Sequence, residues 1–264
     1  MQTKIGRVSV LGVPVSLVNL TRASEQIMMW AEDRLNAYSV FVRDVPSLMQ
    51  AVKQTELFDL HRDADLIVAD GTPLVWVAQV KGFRDSIGRV PGADLVDAVC
   101  RLSLSTGQSH FFYGGKPGVA QRMAETLSQR YPGLRVAGIY SPPMLNIGPD
   151  FDVLELCRED MEVIRASNAG IVWVGISSPK QEYWIAKAAH AVGRGVFIGV
   201  GAAFDFHSGD IQRAPAWMRN NGLEWLYRLI REPRRLWRRY LILAPMFVLR
   251  VTAELLLRSS RRIG

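Results

Sequence analysis

The sequence predicts an α/β fold, a mainly parallel sheet with helices on both faces, followed by a helical appendage at the C-terminus. Short runs rich in Val, Ile, Phe and Tyr alternate with longer segments whose apolar residues recur at helical spacing, the pattern of β-α units. At 264 residues the chain can bury a full core, as one large domain or two smaller ones. After "RAP" at Arg213 to Pro215 the alternation stops and the chain turns Trp- and Arg-rich.

In chain order, "RVSVLGVPV" reads as the first strand and "SEQIMMWAEDRL" as the first helix. "YSVFV" and "ADLIVA" are strands flanking the helical "VPSLMQAVKQT", and "ADLVDAVCRLSL" is the next helix. The pairs "SHFFYGG" with "GVAQRMAETLSQRY" and "GIVWVGI" with "PKQEYWIAKAAHAV" each read as a strand feeding a helix. "LRVAGIY" and "GVFIGVG" are further strands, "SPPMLNIGP" a surface loop, and "VLELCREDMEVIRAS" a helix. Strands feeding helices give a Rossmann-like sheet over residues 1–215, with ligands expected beyond the carboxyl ends of its strands. Residues 216–264 read as two or three helices punctuated by Pro233 and Pro245.

The formal charge is +7, and its location is informative. From Arg219 onward there are eleven Arg and three acids, whereas residues 1–218 hold 21 basic and 22 acidic side chains. The whole excess lies in the tail, which therefore has its own partner. Leu241 to Leu249 is nine residues of mostly apolar sequence before Arg250 intervenes, short of the roughly 20 a membrane span needs. Trp237 and "RRLWRRY" suit a basic amphipathic helix lying on an anionic membrane surface. The plainer reading is a helix packed on the domain with its arginines solvated. The N-terminus lacks the apolar core and cleavage site of a secretory signal, which points to the cytoplasm. Cys100 and Cys157 read as buried thiols in a reducing compartment.

The strand ends carry the candidate chemistry. In "VADGTPLVW" an apolar run stops at Asp70 and Gly71, and a carboxylate there belongs in solvent or a ligand crevice, a candidate active-site acid. In "FYGGKPGVA", Gly114 and Gly115 lead to a helix starting near Pro117 or Gly118, where exposed amides would attract a diphosphate. "SSPKQEYWI" places Gln181 at a helix start, able to donate to and accept from sugar hydroxyls or a base edge. Beside it, Ser178 reads as a cap and Glu182 as a first-turn acid. Arg89 in "RVPGADL" can hold two phosphate oxygens at once, while Asp94 reads as a helix cap. "DAD" at Asp63 to Asp65 precedes its strand and reads as a turn rather than a metal site. The four histidines show no zinc-ligand spacing, and no Gly-x-Ser-x-Gly elbow occurs.

Together, "ADLIVADGTPLVW", "RVPGADL", "FYGGKPGVA", "WVGISSPKQEYWI", "GVGAAFDFHSGDIQRAPAWM" and "GLEWLYRLIREPRRLWRR" resemble the WecG/TagA/CpsF glycosyltransferases of bacterial polysaccharide synthesis. The resemblance runs from about Ala64 to Trp237. It implies an inverting, metal-independent enzyme without a cofactor. Such an enzyme moves a sugar from a UDP-sugar to a polyprenyl-diphosphate-linked sugar, peripherally bound at the cytoplasmic face of the bacterial inner membrane. It also implies Asp70 as the base, Arg89 and Gln181 as active-site companions, and Arg228, Arg235 and Arg238 of the appendage reaching the bound diphosphate. The family's Thr-x-Asn is replaced here by Phe41 and Arg43, which hints at a glucosyltransferase of an exopolysaccharide. Whether subunits pair is left open. A different class, a nucleotide-sensing module with a nucleic-acid-binding tail, fits the Arg–Trp clusters, but the tail's apolar stretches favour lipid. A dinucleotide oxidoreductase lacks its Gly-x-Gly-x-x-Gly loop.

Overall fold

The structure is a computed structural model and describes residues 5–143, 147–150, 152 and 157–260. The first apolar run is two strands rather than one. β1 (Arg7–Val10) and β2 (Val13–Ser16) form an antiparallel hairpin. Leu11 and Gly12 turn the chain, both with positive φ, and only the glycine adopts that region without strain. The hairpin covers the edge of the main sheet, where Ile67 N donates to Ser16 Oγ at 3.0 Å.

The main sheet has six parallel strands in the order β4-β3-β8-β7-β5-β6. These are β3 (Ala37–Arg43), β4 (Leu66–Ala69), β5 (Ser109–Gly114), β6 (Arg135–Tyr140), β7 (Ile171–Gly175) and β8 (Gly195–Gly199). Alternate residues of each strand enter opposite layers: Phe111 and Tyr113 of β5 pack on one side and Phe112 on the other. One face is covered by α1 (Leu20–Glu32), α5 (Gly92–Thr106), α6 (Val119–Arg130) and α9 (Ala203–His207), which bury Ile27, Val96, Met123 and Phe204. The other is covered by α2 (Val45–Ala51), α3 (Thr55–Asp63), α4 (Thr72–Val80), α7 (Arg158–Ser167) and α8 (Lys180–Val192), which bury Leu48, Leu57, Leu74, Ile164 and Trp184. The helix expected from Val153 begins at Arg158; residues 153–156, like 144–146 of the expected loop, lie outside the described residues.

From residue 216 the described chain is helical: α10 (Ala216–Asn220), α11 (Glu224–Arg231), α12 (Pro233–Trp237), a π-helical turn (Arg238–Ile242) and α13 (Leu243–Ser260). Pro233 opens its helix, as expected, but Pro245 lies inside α13. A proline there cannot bond back one turn and crowds the preceding carbonyl, and the widened turn just before it accommodates both defects.

Pro233–Leu257 is long and apolar enough to cross a membrane by length and composition, because the helix extends beyond the nine-residue run Leu241–Leu249 on both sides. Nevertheless α13 lies along the α/β unit. Phe247 and Val251 are buried in its core, and Glu254 accepts from Lys81 Nζ at 2.6 Å and from Leu11 N at 3.1 Å. Its opposite side exposes Val248, Leu249, Leu256 and Leu257.

Candidate active site

β4 is buried along its whole length, and α4 starts at Thr72, three residues after it ends, with Pro73 in its first turn, so Asp70 falls at the junction. Arg43 pairs with Ala69 in register, and Asp70 N donates to the Arg43 carbonyl at 2.8 Å. This sets Asp44 and Asp70 side by side at the carboxyl ends of β3 and β4. Both line a crevice of about 430 Å³ between the sheet edge and the appendage, whose walls include Arg89, Arg213, Glu224 and Arg228.

The two aspartates are held in opposite states. Asp44 caps α2, accepting from Ser47 N at 3.0 Å, and both its carboxylate oxygens take Arg239 Nη2 at 3.0 and 2.8 Å. Burial pushes Asp44 up, but Arg239 and Ser47 outweigh it and hold the carboxyl at about 2. Asp70 has no such clamp. Burial pushes it up, Arg89 opposes, the carboxylates of Asp44 and Glu224 add to the push, and it comes to about 7. Its side chain keeps 36 % of its surface open, so this is burial against a crevice wall and not in a sealed core. Two carboxyls whose proton affinities are driven apart, one a fixed anion and one titrating near neutrality, are the arrangement general-base chemistry uses.

Arg89 lies against Asp70. Its Nε donates to the Asp70 carbonyl at 2.7 Å, and Nη2 lies 3.7 Å from the Asp70 carboxylate. Arg228 also lines the crevice, its guanidinium over the Phe206 ring at 5.6 Å.

Arg235 and Arg238 do not line it. Arg235 pairs with Glu232 at 2.7 Å on the surface and Arg238 stacks over Trp237 at 5.2 Å. Arg213 lines the crevice instead, donating to Asp94 at 2.6 Å, and Arg239, one position beyond Arg238, reaches the Asp44 carboxylate in its wall. Asp94 is thus an ion-pair partner inside α5, and the cap of that helix is Pro91.

Gly114 and Gly115 lie elsewhere on the sheet edge. β5 stands four strand spacings from β4, roughly 19 Å. A Cβ on Gly114 would come within 2.6 Å of the Gly175 carbonyl carbon, and Gly115 N donates to Gly175 O at 2.9 Å. The Gly115 amide is therefore committed to the backbone of β7; Gly114 answers to close strand packing, and a Cβ on Gly115 would come within 2.8 Å of Val119 in α6.

Gln181 also stands apart from the crevice. It is buried at the start of α8 beside the end of β8, and Nε2 donates to Glu182 Oε1 at 2.9 Å. Glu182 is no solvated first-turn acid. It is fully buried in an ion pair with Arg43, whose Nη1 donates to Ser178 Oγ at 3.1 Å, so Ser178 serves Arg43 instead of capping the helix.

The remaining candidates are structural. Asp65 Oδ2 accepts from Ser39 N and Oγ at 2.8 and 3.0 Å in the helix-to-strand turn. His61, His110 and His207 are buried and bonded to Leu57 O, Ser103 Oγ and Ala93 O. Both cysteines are buried free thiols. Among the described residues no three or more His, Cys, Asp or Glu side chains are grouped to hold a metal ion.

Comparison with known proteins gives the context. The sequence model described as "Glycosyl transferase WecG/TagA/CpsF family" matches residues 8–261. The chain is 32% identical over 204 residues to the N-acetylglucosaminyldiphosphoundecaprenol N-acetyl-beta-D-mannosaminyltransferase of Bacillus subtilis (strain 168), covering 77% of this chain and 75% of that protein. It is 33% identical over 178 residues to the enzyme of the same name from Bacillus spizizenii (strain ATCC 23059 / NRRL B-14472 / W23), covering 67% and 65%.

Proposed function

Because the chain belongs to the WecG/TagA/CpsF glycosyl transferase family, we propose that it transfers a sugar from a UDP-sugar to a sugar carried on a polyprenyl diphosphate, with inversion. The observation that carries this reading is Asp70, an open carboxyl near neutrality beside Arg89. As the acceptor hydroxyl oxygen bonds to the anomeric carbon, its proton passes to the Asp70 carboxylate and the anomeric C–O bond breaks, releasing UDP. The negative charge that grows on the departing diphosphate is met by Arg89 and Arg228, with Arg213 behind them.

The acceptor proposed is the diphosphoundecaprenol-linked N-acetylglucosamine named for the relatives, and the donor sugar is an N-acetylhexosamine. The glucosyl reading rests on Phe41 and Arg43 standing where the family has Thr-x-Asn; both side chains are buried and neither lines the crevice, so the donor is taken from the relatives. Residues 216–264 serve as the membrane-associating part. Trp76 and Trp225 are exposed at the crevice, and the outer side of α13 is apolar, which suits peripheral binding at the cytoplasmic membrane face where a lipid-linked acceptor lies.

Incubation with UDP-N-acetylmannosamine, UDP-N-acetylglucosamine and UDP-glucose against a short-chain polyprenyl-diphosphate N-acetylglucosamine, followed by mass measurement, tests the reading. The first or second is expected to add an N-acetylhexosamine. Asp70→Asn should retain UDP binding and lose on the order of a hundredfold in turnover. Near-normal turnover removes Asp70 from the base role. Sedimentation with anionic vesicles, against an oligonucleotide-binding control, tests the membrane assignment.

A further inference from the structure

A third carboxylate, Glu224, stands in the crevice with no part in the reaction just described. It opens α11 in the appendage, keeps only 13 % of its side chain exposed, and takes Arg89 Nη2 at 2.7 Å. Arg89 therefore joins the two parts of the chain. Nε donates to the Asp70 carbonyl at 2.7 Å and Nη1 to the Arg219 carbonyl at 2.9 Å. With two edges of the planar fork fixed by carbonyls, the third nitrogen can favour one carboxylate over another. It bonds Glu224 and stops 3.7 Å short of Asp70. On its far side Glu224 faces Arg213 Nε at 3.6 Å, and Arg213 is itself anchored on Asp94.

We propose that Glu224 is a positioning residue for the transfer: by engaging Arg89 Nη2 it keeps the guanidinium from closing on the Asp70 carboxylate and leaves that carboxylate free to accept the acceptor's proton. The inference rests on the reading of Asp70 as the base. A closing movement of about 1 Å would turn the present spacing into a charge-assisted hydrogen bond, and a carboxylate bonded in that way is a poorer base. Among the described residues, the charged and titratable groups facing Asp70 are Asp44 capping α2, Arg89 from the loop before α5, Arg213 from the loop after α9, Glu224 and Arg228 from α11, and Arg239 and Tyr240 from the π-turn. Glu224 differs from the others in that its loss both removes a nearby negative charge and releases Arg89.

The experiment is Glu224→Gln in the full chain, an isosteric change that removes the negative charge and with it the charge-assisted hold on Arg89 Nη2. The Asp70 carboxyl is titrated by carbon-13 NMR, its resonance assigned by its absence in Asp70→Asn. The expected result is a midpoint lower by on the order of one pH unit. The acid limb of kcat/KM should move with it, with kcat reduced and KM for the UDP-sugar little changed. Glu224→Asp, which keeps the charge, should restore most of the midpoint. On an Arg89→Gln background the effect of Glu224→Gln should shrink, since its route through the guanidinium is gone. An unmoved or raised midpoint, or an undiminished effect without Arg89, overturns the inference and leaves Glu224 a bolt between appendage and core. Turnover with an unmoved midpoint overturns this inference alone. A moved midpoint in a chain that uses no UDP-sugar overturns the transferase reading and, with it, the catalytic use of the device.

Discussion

Glu182→Gln perturbs the most deeply buried charge pair described. Arg43 and Glu182 keep 1 % and 0 % of their side-chain surfaces, so neither can draw on water if its partner is lost. The variant retains the shape and one acceptor oxygen but leaves the Arg43 cation beside the Phe41 ring at 5.7 Å, with the Ser178 hydroxyl as its other partner. Removing one member of a buried pair costs roughly 3–5 kcal/mol, because the survivor stays desolvated and uncompensated. Against a total of roughly 5–15 kcal/mol, that is a large share. With a urea dependence of about 3 kcal/mol per molar, the unfolding midpoint should fall by about 1 M or more. The companion variant Arg43→Met with Glu182→Leu removes both charges and should recover most of the loss, since apolar replacements of a buried pair are often neutral or stabilising. Urea unfolding followed by Trp fluorescence reads all three proteins. A fall below about 0.3 M for Glu182→Gln, or a double variant no better than the single, would refute the view that an uncompensated buried charge governs this site.

Two further outcomes concern pH. The Asp70 carboxyl titrates at about 7 in the folded chain against 3.8 ordinarily, so folding binds its proton more tightly. The associated stability is fully present below pH 3.8 and is lost as pH rises through 7. Asp70→Asn should therefore gain stability relative to the unaltered protein at pH 8, with the gap closing as pH falls toward 4; equal gaps at both ends in thermal melts would count against it. Asp44 has the opposite sign, held at about 2, so its contribution is present above pH 3.8 and lost as pH falls through 2. Arg239→Ala should bring that loss to higher pH in acid unfolding followed by circular dichroism, and an unchanged acid midpoint would rule out the Arg239–Asp44 clamp as its cause.

Much of the fold is local and could be read locally. β5 and its helix α6, or β7 and α8, are legible because each strand is a short apolar run closed by glycine or serine and each helix shows one apolar stripe. The hairpin was not legible as such, because "RVSVLGVPV" reads as one apolar run and the break at Leu11 and Gly12 lies in backbone angles. The tail's attachment to the core was also hidden. Phe247, Val251 and Glu254 fall on one side of α13, and which side meets the domain depends on Leu11 and Lys81, more than 170 residues earlier.

The site shows the same division more sharply. Strand ends in a parallel sheet all reach one edge, so motifs after β4, β5 and β7 look equally placed, yet an edge is a line and the strand order assigns positions along it. Because β3, β8 and β7 stand between β4 and β5, Gly114 cannot share a crevice with Asp70, whereas Asp44, one residue beyond β3, must. The arginines divide for a similar reason. In a helix a shift of one residue turns a side chain by about 100°, so Arg238 faces outward over Trp237 while Arg239 reaches Asp44. Arg213 marks where the β-α pattern stops and Glu224 looks like an ordinary first-turn acid, and nothing local sets either apart. What gathers them is the return of a late helical segment over the first strands of the sheet. Where that packing brings three carboxylates and several guanidiniums into one 430 Å³ space, the proton affinity of each is decided by the others, which is why the chemistry of Asp70 has to be argued from its neighbours and not from its motif.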